Sequence, residues 1–255
     1  MRIKTLVIAL LLAAGSLATS AAQDITLSAA ASLADVLLQM QDEAQKFVGA
    51  RIFVNLGGSG TLRRQIEEGA PVDVFFSAAR GDMDKLEQEG LILPGSRKVL
   101  LRNSLVMIGE PATRPVTGPD DLRNLVSSAR VIAIGNPDAV PAGRYAVEAL
   151  KEYGMYDLSK TKLALGGTVR EVLQFVQNGS APLGFVFLTD ALSAQPAGSI
   201  VRLFLFPAET FSVPIEYPVA VTTSSKSRAN AEKLIEFLQG EIARGAFLKA
   251  GFEVP

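Results

Sequence analysis

The sequence of 255 residues contains no cysteine and no histidine. Without cysteine the protein has no disulfide bonds, so its core must stabilise the fold unaided. The same two absences remove the side chains on which most nucleophilic, general-base and metal-ligand chemistry depends. We therefore expect a binding protein and not an enzyme, with no cofactor and no metal ion held directly by side chains.

The sequence also lacks long apolar segments and strongly basic regions. The apolar run at 5–14 follows Arg2 and Lys4, and it is too short for the roughly 20 residues of a membrane-spanning helix. With the small residues at 20–22, it has the layout of a secretory signal peptide over 1–22; a short membrane anchor is the alternative. No cysteine follows that could carry a lipid. We expect a periplasmic protein that binds no nucleic acid.

Removal of the predicted signal peptide leaves a chain of weak negative charge. Two of the 25 basic residues and none of the 26 acidic residues would be lost, which gives a net charge of −3. Overall charge therefore does not attract an anion, and local geometry would have to do so. The remaining residues, 23–255, are enough for one large domain or two smaller ones.

Strand and helix signals alternate along the chain, which predicts an α/β fold with mixed, mostly parallel sheets. Apolar residues at helical spacing predict one helix over 33–48 that Gly49 ends. The remaining predicted strands are 25–29, 51–56, 72–76, 105–109, 131–134, 183–187, 200–206 and 219–222, and the other helices are 61–68, 82–89, 121–127, 142–153, 169–178, 227–239 and 241–250. In such sheets, ligands bind where strands end and helices begin.

Two of these junctions, LSAAASL (27–33) and LGGSGTL (56–62), place a serine among small residues. The start of a helix offers unpaired N–H groups and the positive end of the helix dipole. Small neighbours would let an anion approach the backbone closely around Ser32 and Ser59. The alternative is that each hydroxyl only caps its own helix.

Two later junctions, PAG (141–143) and GGTV (166–169), have a similar character. Their glycine and proline could be simple helix punctuation, and Thr168 could be an N-cap. Four helix N-termini, each equivalent to about half a positive charge, would together offset a dianion without arginine or lysine. A site of donors alone would reject phosphate, which keeps a proton near neutral pH, and accept a fully deprotonated tetrahedral oxyanion.

With these junctions the chain resembles the periplasmic molybdate-binding proteins of ABC importers. The matching segments are 29–33, 59–66, 69–78, 103–106, 135–145, 169–170, 181–184 and 217–221, in the family's order and over nearly the whole mature chain. The resemblance implies a type II periplasmic binding fold of two lobes, with an oxyanion in the cleft between them. The lobes would be 23–103 plus 218–255 and 104–217, with crossings near 103–104 and 216–217.

The resemblance also implies the ligand, its contacts and the partner. Molybdate or tungstate would be bound by the serines Ser32 and Ser59 and by the backbone N–H groups of Ala142 and Val169. A membrane permease would receive the ligand from a monomeric binding protein. Phe187 departs from the family, which commonly has tyrosine there, so one hydroxyl donor is missing. We expect Phe187 to wall the pocket, with a water or the Thr189 hydroxyl replacing that donor; the alternative is weaker binding or a shifted anion preference.

The sequence favours other functions less. G-S-G at 58–60 begins like a dinucleotide fingerprint, but Arg63 stands in place of the third glycine, so an oxidoreductase is a distant alternative. A serine hydrolase would lack histidine as its general base. A closer alternative, kept open by the departure at Phe187, is the same fold binding sulfate or a small organic anion. An inward-pointing Arg144 or Arg170 would favour a carboxylate or phosphate ligand.

Overall fold

A computed structural model describes residues 23–255, in which ten strands and eleven α-helices alternate. The strands are β1 (Ile25–Ala30), β2 (Ile52–Gly57), β3 (Val74–Phe76), β4 (Lys98–Arg102), β5 (Leu105–Gly109), β6 (Ile132–Gly135), β7 (Leu163–Gly166), β8 (Leu183–Phe187), β9 (Val201–Leu205) and β10 (Glu216–Val221). The helices are α1 (Ala34–Gln39), α2 (Gln41–Val48), α3 (Ser59–Glu67), α4 (Arg80–Gln88), α5 (Pro119–Ser128), α6 (Pro141–Glu152), α7 (Tyr156–Ser159), α8 (Val169–Gln177), α9 (Leu188–Ala194), α10 (Arg228–Gln239) and α11 (Glu241–Ala250). The predicted signal peptide lies outside the described residues.

The strands form two five-stranded sheets, in the orders β2-β1-β3-β10-β4 and β7-β6-β8-β5-β9. In the first sheet β10 runs in the direction opposite to the other four strands, and in the second sheet β5 does. Four strands of each sheet therefore run in one direction, and the prediction of an α/β fold with mixed, mostly parallel sheets is confirmed.

The chain passes between the two sheets twice. The first passage is Asn103 and Ser104, between β4 and β5, and the second is 206–215, between β9 and β10. The backbone N–H of Asn103 donates to the Ile215 carbonyl at 3.0 Å, so the two passages lie side by side. Strand β10 pairs with the first sheet from Glu216 onward. The residue limits of the two lobes stay a prediction.

Several elements differ from the sequence prediction. The helix expected over 33–48 is a 3-10 turn, Ala31–Leu33, followed by α1 and α2, which are separated at Met40. Strands β4 and β7 and helices α7 and α9 were not predicted. In β7 the side chain of Leu165 is half exposed and in β4 Val99 is partly exposed, so neither strand shows the continuous apolar run of a buried parallel strand.

The four junctions singled out in the sequence follow parallel strands. The turn Ala31–Leu33 follows β1 and α3 follows β2 in the first sheet, while α6 follows β6 and α8 follows β7 in the second. The architecture therefore places all four helix starts at carboxyl ends of strands, where ligands bind in such sheets. No helix of the described residues is long and apolar enough to cross a membrane.

Candidate functional site

The four junctions meet at one small cavity between the sheets. It is lined by Ala30, Ala31, Ser32, Gly57, Gly58, Ser59, Ala78, Val140, Pro141, Val169 and Phe187. Four of the five predicted site residues are among these: Ser32, Ser59, Val169 and Phe187. The fifth, Ala142, directly follows the lining residue Pro141 and is itself fully buried.

The two serines of the cavity do not cap their helices. Ser32 lies within the 3-10 turn, whose cap is Ala30, and Ser59 is the first residue of α3, whose cap is Gly58. The Ser32 hydroxyl oxygen lies 2.9 Å from the Tyr217 hydroxyl, and the Ser59 hydroxyl accepts a hydrogen bond of 3.0 Å from the Ala78 N–H. The capping alternative is therefore wrong for both serines.

Thr168, in contrast to the two serines, caps its helix. Its side-chain oxygen accepts a hydrogen bond of 3.1 Å from the Glu171 N–H, which makes it the N-cap of α8. That cap satisfies one orphan donor of the first turn and leaves the Val169 N–H without a hydrogen-bond partner among residues 23–255. The Ala142 N–H, in the first turn of α6, likewise has no partner within that range.

The cavity wall carries no charge in the part of the chain that the structure describes. Its polar groups are two hydroxyls and the backbone amides of small residues, with the Phe187 ring as an apolar wall. The positive ends of α3, α6 and α8, together with the 3-10 turn, supply the electrostatic field. An uncharged site of this composition stabilises an anion through donors and helix dipoles.

Arg144 and Arg170 reach toward the other sheet instead of into the cavity. Arg144, on α6, pairs with the buried carboxylate of Asp82 on α4. Arg170, on α8, lies 2.7 Å from Asp35 on α1. Both arginines are thus paired with carboxylates across the cleft, and they do not favour an organic anion in the way an inward orientation would have done.

Behind Arg170 lies a buried carboxylate that the sequence did not single out. Asp190 has no exposed surface, and its oxygen lies 2.9 Å from the Arg170 Nε. Burial raises the pKa of Asp190 to about 6, although the neighbouring Arg170 lowers it. This carboxyl therefore gains its proton at a higher pH than an ordinary aspartate does.

The glycines beside Ser59 allow the two halves of the cavity to approach each other. The Gly60 N–H donates to the Ala139 carbonyl at 2.8 Å, and a Cβ on Gly60 would lie 2.9 Å from that oxygen. A Cβ on Gly58 would lie 2.8 Å from the same oxygen and 3.0 Å from the Gly167 carbonyl. The absence of side chains thus permits backbone contact between α3 and the second sheet's junctions.

Sequence reasoning missed two residues that hold the site together. Tyr217 is fully buried and bonds to Ser32, and Asn103 donates to the Tyr217 hydroxyl at 3.1 Å. Both fall in segments that carry the family resemblance, which was the available signal, but both were assigned only to the crossings. Thr189 accepts from Asn103 at 3.0 Å and does not line the cavity, so its expected substitution for the missing hydroxyl lacks support.

The remaining alternatives find no support in the geometry. Across residues 23–255, no three His, Cys, Asp or Glu side chains are grouped so that they could bind a metal ion. Two lobes around a small, donor-lined, uncharged cavity define a binding protein of the periplasmic type.

The chain belongs to the bacterial extracellular solute-binding proteins, whose family model matches residues 25–253. It is 34% identical over 248 residues to the molybdate-binding protein ModA of Haemophilus influenzae, covering 96% of this chain and 95% of that one. The fold matches the periplasmic molybdate-binding protein of Azotobacter vinelandii at a TM-score of 0.80 and 28% identity, over 91% and 99% of the chains. The predicted resemblance is confirmed, as is the prediction of a binding protein and not an enzyme.

The fold alone does not select the oxyanion. The sulfate-binding protein SubI of Mycobacterium tuberculosis matches at a TM-score of 0.74 with 16% identity, over 91% of this chain and 86% of that one. A likeness at this identity concerns the fold only. The choice of ligand therefore has to come from the residues of the cavity.

Proposed function

We propose that this protein captures molybdate, and also tungstate, outside the cytoplasm and delivers it to the permease of an ABC importer. The observation that carries the proposal is the small cavity at four strand–helix junctions, lined by donors and by no charged side chain. The similarity to molybdate-binding proteins over 90% of the chain or more supports the choice of ligand. Residues 1–22 would act as the signal peptide, and the mature protein would be a periplasmic monomer.

In this proposal the anion is bound by the Ser32 and Ser59 hydroxyls and by the N–H groups of Ala142 and Val169. Phe187 closes the cavity as an apolar wall. Hydrogen bonds to a charged acceptor contribute about 1.5–3 kcal/mol each, so a few donors suffice for strong binding. The lobes 23–103 plus 218–255 and 104–217 would close around the ligand by a hinge motion at the two crossings.

The proposal is tested by thermal unfolding of the ligand-free mature protein with molybdate, tungstate, sulfate and phosphate. A ligand that binds only the folded state raises the unfolding midpoint with its occupancy. We expect molybdate and tungstate to raise the midpoint and phosphate to leave it unchanged. A response to sulfate alone would replace this proposal with a sulfate carrier of the same fold.

Ser59→Ala and Ser77→Ala form a matched pair for the same experiment. Both hydroxyls are fully buried, and that of Ser77 bonds to the backbone at Ala79 without lining the cavity. Each substitution should lower the free energy of unfolding by about 1–3 kcal/mol, because a buried partner is lost. Only Ser59→Ala should also weaken molybdate binding, by about tenfold or more. Equal affinities in the two variants would remove Ser59 from the site.

A further inference from the structure

We propose that Asn103 and Tyr217, which do not touch the ligand, determine the site's specificity by forcing the Ser32 hydroxyl to be a donor. The inference rests on the proposed function and deepens it, because it states why the site takes only anions that carry no proton. The two residues lie at the two crossings between the sheets and are joined by hydrogen bonds to Ser32.

The Asn103 side-chain amide has a single orientation that satisfies its neighbours. Its oxygen accepts a hydrogen bond of 2.9 Å from the Ser104 N–H, so that end of the side chain must be the acceptor. Its nitrogen therefore points the other way and donates to the Thr189 hydroxyl at 3.0 Å and to the Tyr217 hydroxyl at 3.1 Å. Both amide protons are used, and the direction of both bonds is determined by the backbone of Ser104.

The hydrogen bond between Tyr217 and Ser32 has a direction that follows from the Asn103 amide. A phenol has one proton, and the Tyr217 oxygen already accepts from Asn103. Its proton therefore goes to the remaining neighbour, the Ser32 oxygen at 2.9 Å. The opposite direction would make the Tyr217 oxygen accept twice and leave its proton buried without a partner, which is unfavourable.

Burial also favours the protonated form of the Tyr217 phenol. Tyr217 has no exposed surface and packs between the rings of Phe187 and Phe252, with centroids 5.8 and 5.4 Å away. Burial raises the pKa of Tyr217 well above its ordinary value, so the hydroxyl keeps its proton at any physiological pH.

With these bond directions, the cavity presents the protons of two serine hydroxyls. Ser32 receives from Tyr217, and Ser59 receives from the Ala78 N–H, so the free proton of each serine has no acceptor among residues 23–255. Both protons are therefore available to the ligand. Hydrogen phosphate would have to place its own proton against a wall of donors, whereas a fully deprotonated oxyanion accepts from all of them.

Asn103→Asp tests the direction of this chain with almost no change of shape. A carboxylate at 103 still accepts from Ser104, but it also accepts from Tyr217, which frees the Tyr217 oxygen to accept from Ser32. Lone pairs of Ser32 would then face the anion. We expect molybdate affinity, measured by calorimetry, to fall about tenfold to hundredfold, the range for one lost bond to a charged acceptor. The preference for molybdate over phosphate should also shrink.

The double variant Asn103→Asp with Tyr217→Phe separates this mechanism from the added negative charge. Without the Tyr217 hydroxyl the carboxylate cannot reverse Ser32, so the double variant should bind molybdate no more weakly than Tyr217→Phe alone. If charge were the cause, the double variant would be the weakest of the set, and the proposal would be wrong. Asn124→Asp, at an exposed position on α5, controls for net charge.

A second set of variants tests the proposal even if Asn103→Asp does not fold. Tyr217→Phe should weaken molybdate binding in the parent protein and have no effect in a Ser32→Ala background, because Tyr217 acts only through Ser32. Equal losses in both backgrounds would show a merely structural role and overturn the proposal. If the parent protein binds no oxyanion, the proposed function fails as well; if it binds molybdate and the cycles show no coupling, only this inference fails.

Discussion

At the scale of single residues, the Phe187 side chain lines the cavity without contributing a hydrogen-bond donor. The ring is buried, lines the cavity and packs edge-on against Tyr217 and Tyr145, with centroids 5.8 and 6.4 Å away. The nearby hydroxyl of Tyr217 bonds to Ser32, so it does not replace a donor at position 187. Donors from serines and backbone amides must suffice.

Phe187→Tyr should therefore strengthen molybdate binding, by about tenfold, because one donor to a charged acceptor is gained. The ligand-free variant should be less stable, since the new hydroxyl is buried without a partner. Calorimetry and thermal unfolding measure the two effects. Phe185→Tyr is the control: this ring is buried on the same strand, stacks on Phe206 and does not line the cavity, so stability should fall while affinity stays constant. Unchanged or weaker binding by Phe187→Tyr would contradict the prediction.

At the scale of elements, the start of α3 shows why glycine surrounds Ser59. Sequence reasoning attributed these glycines to close approach of an anion. The structure adds a second reason, because Gly58 and Gly60 contact the backbone at Ala139 and Gly167 in the second sheet's junctions. The pattern of small residues was visible in the sequence, but the elements facing it were not, since they lie far along the chain.

Gly60→Ala should interfere with closure of the cleft. The new Cβ would lie 2.9 Å from the Ala139 carbonyl oxygen, a backbone atom that can move only if the two junctions separate. Molybdate affinity should fall about tenfold or more, while the free energy of unfolding without ligand changes little. Gly245→Ala, at an exposed position in α11 with nothing near its Cβ, should stabilise the protein by about 0.5–1 kcal/mol and leave affinity unchanged. Parent-like affinity of Gly60→Ala would contradict the close contact.

At the scale of the whole molecule, two arginines connect the two halves on either side of the proposed anion cavity. Arg144 pairs with Asp82 and Arg170 with Asp35, in each case from a helix of the second sheet to one of the first. Residues around these pairs line two larger cavities that flank the proposed anion site. These ion pairs attract the two halves to each other outside the cavity. The cavity wall therefore needs no charged residue for that purpose.

The buried Asp190 behind Arg170 predicts a particular dependence of stability on pH. Its pKa is about 6 in the folded state against 3.8 ordinarily, so between these values the folded state binds more protons than the unfolded state. The contribution of Asp190 to the free energy of unfolding is therefore full below about pH 4 and is lost as pH rises through 6. A difference of about two pKa units corresponds to at most about 3 kcal/mol.

Urea unfolding at several pH values checks this contribution. Relative to the parent protein, Asp190→Asn should gain stability as pH rises from 4 to 6, because the variant lacks the falling contribution. Asp35→Asn is the control, since that carboxyl is largely exposed and its loss should not remove the slope. A constant difference between Asp190→Asn and the parent across this range would show that Asp190 does not titrate there.

The sequence by itself determined the fold class and four of the residues that line the cavity. Helix and strand periodicity and small residues at strand–helix junctions are local properties, so Ser32, Ser59 and the junction before Val169 could be found from short segments. The roles of Val169 and Phe187 came from the resemblance to the molybdate-binding family. Ala142 was found equally well as the start of α6, although its neighbour Pro141 forms the wall.

The tertiary structure alone decided what each of these groups faces. Tyr217 meets Ser32 across 185 residues of sequence, and Arg170 meets Asp35 across 135. Such pairings depend on how the two sheets are placed by the crossings, which no local pattern encodes. Whether a serine caps its helix or presents its proton to a ligand is settled by a partner that the serine's own segment does not contain.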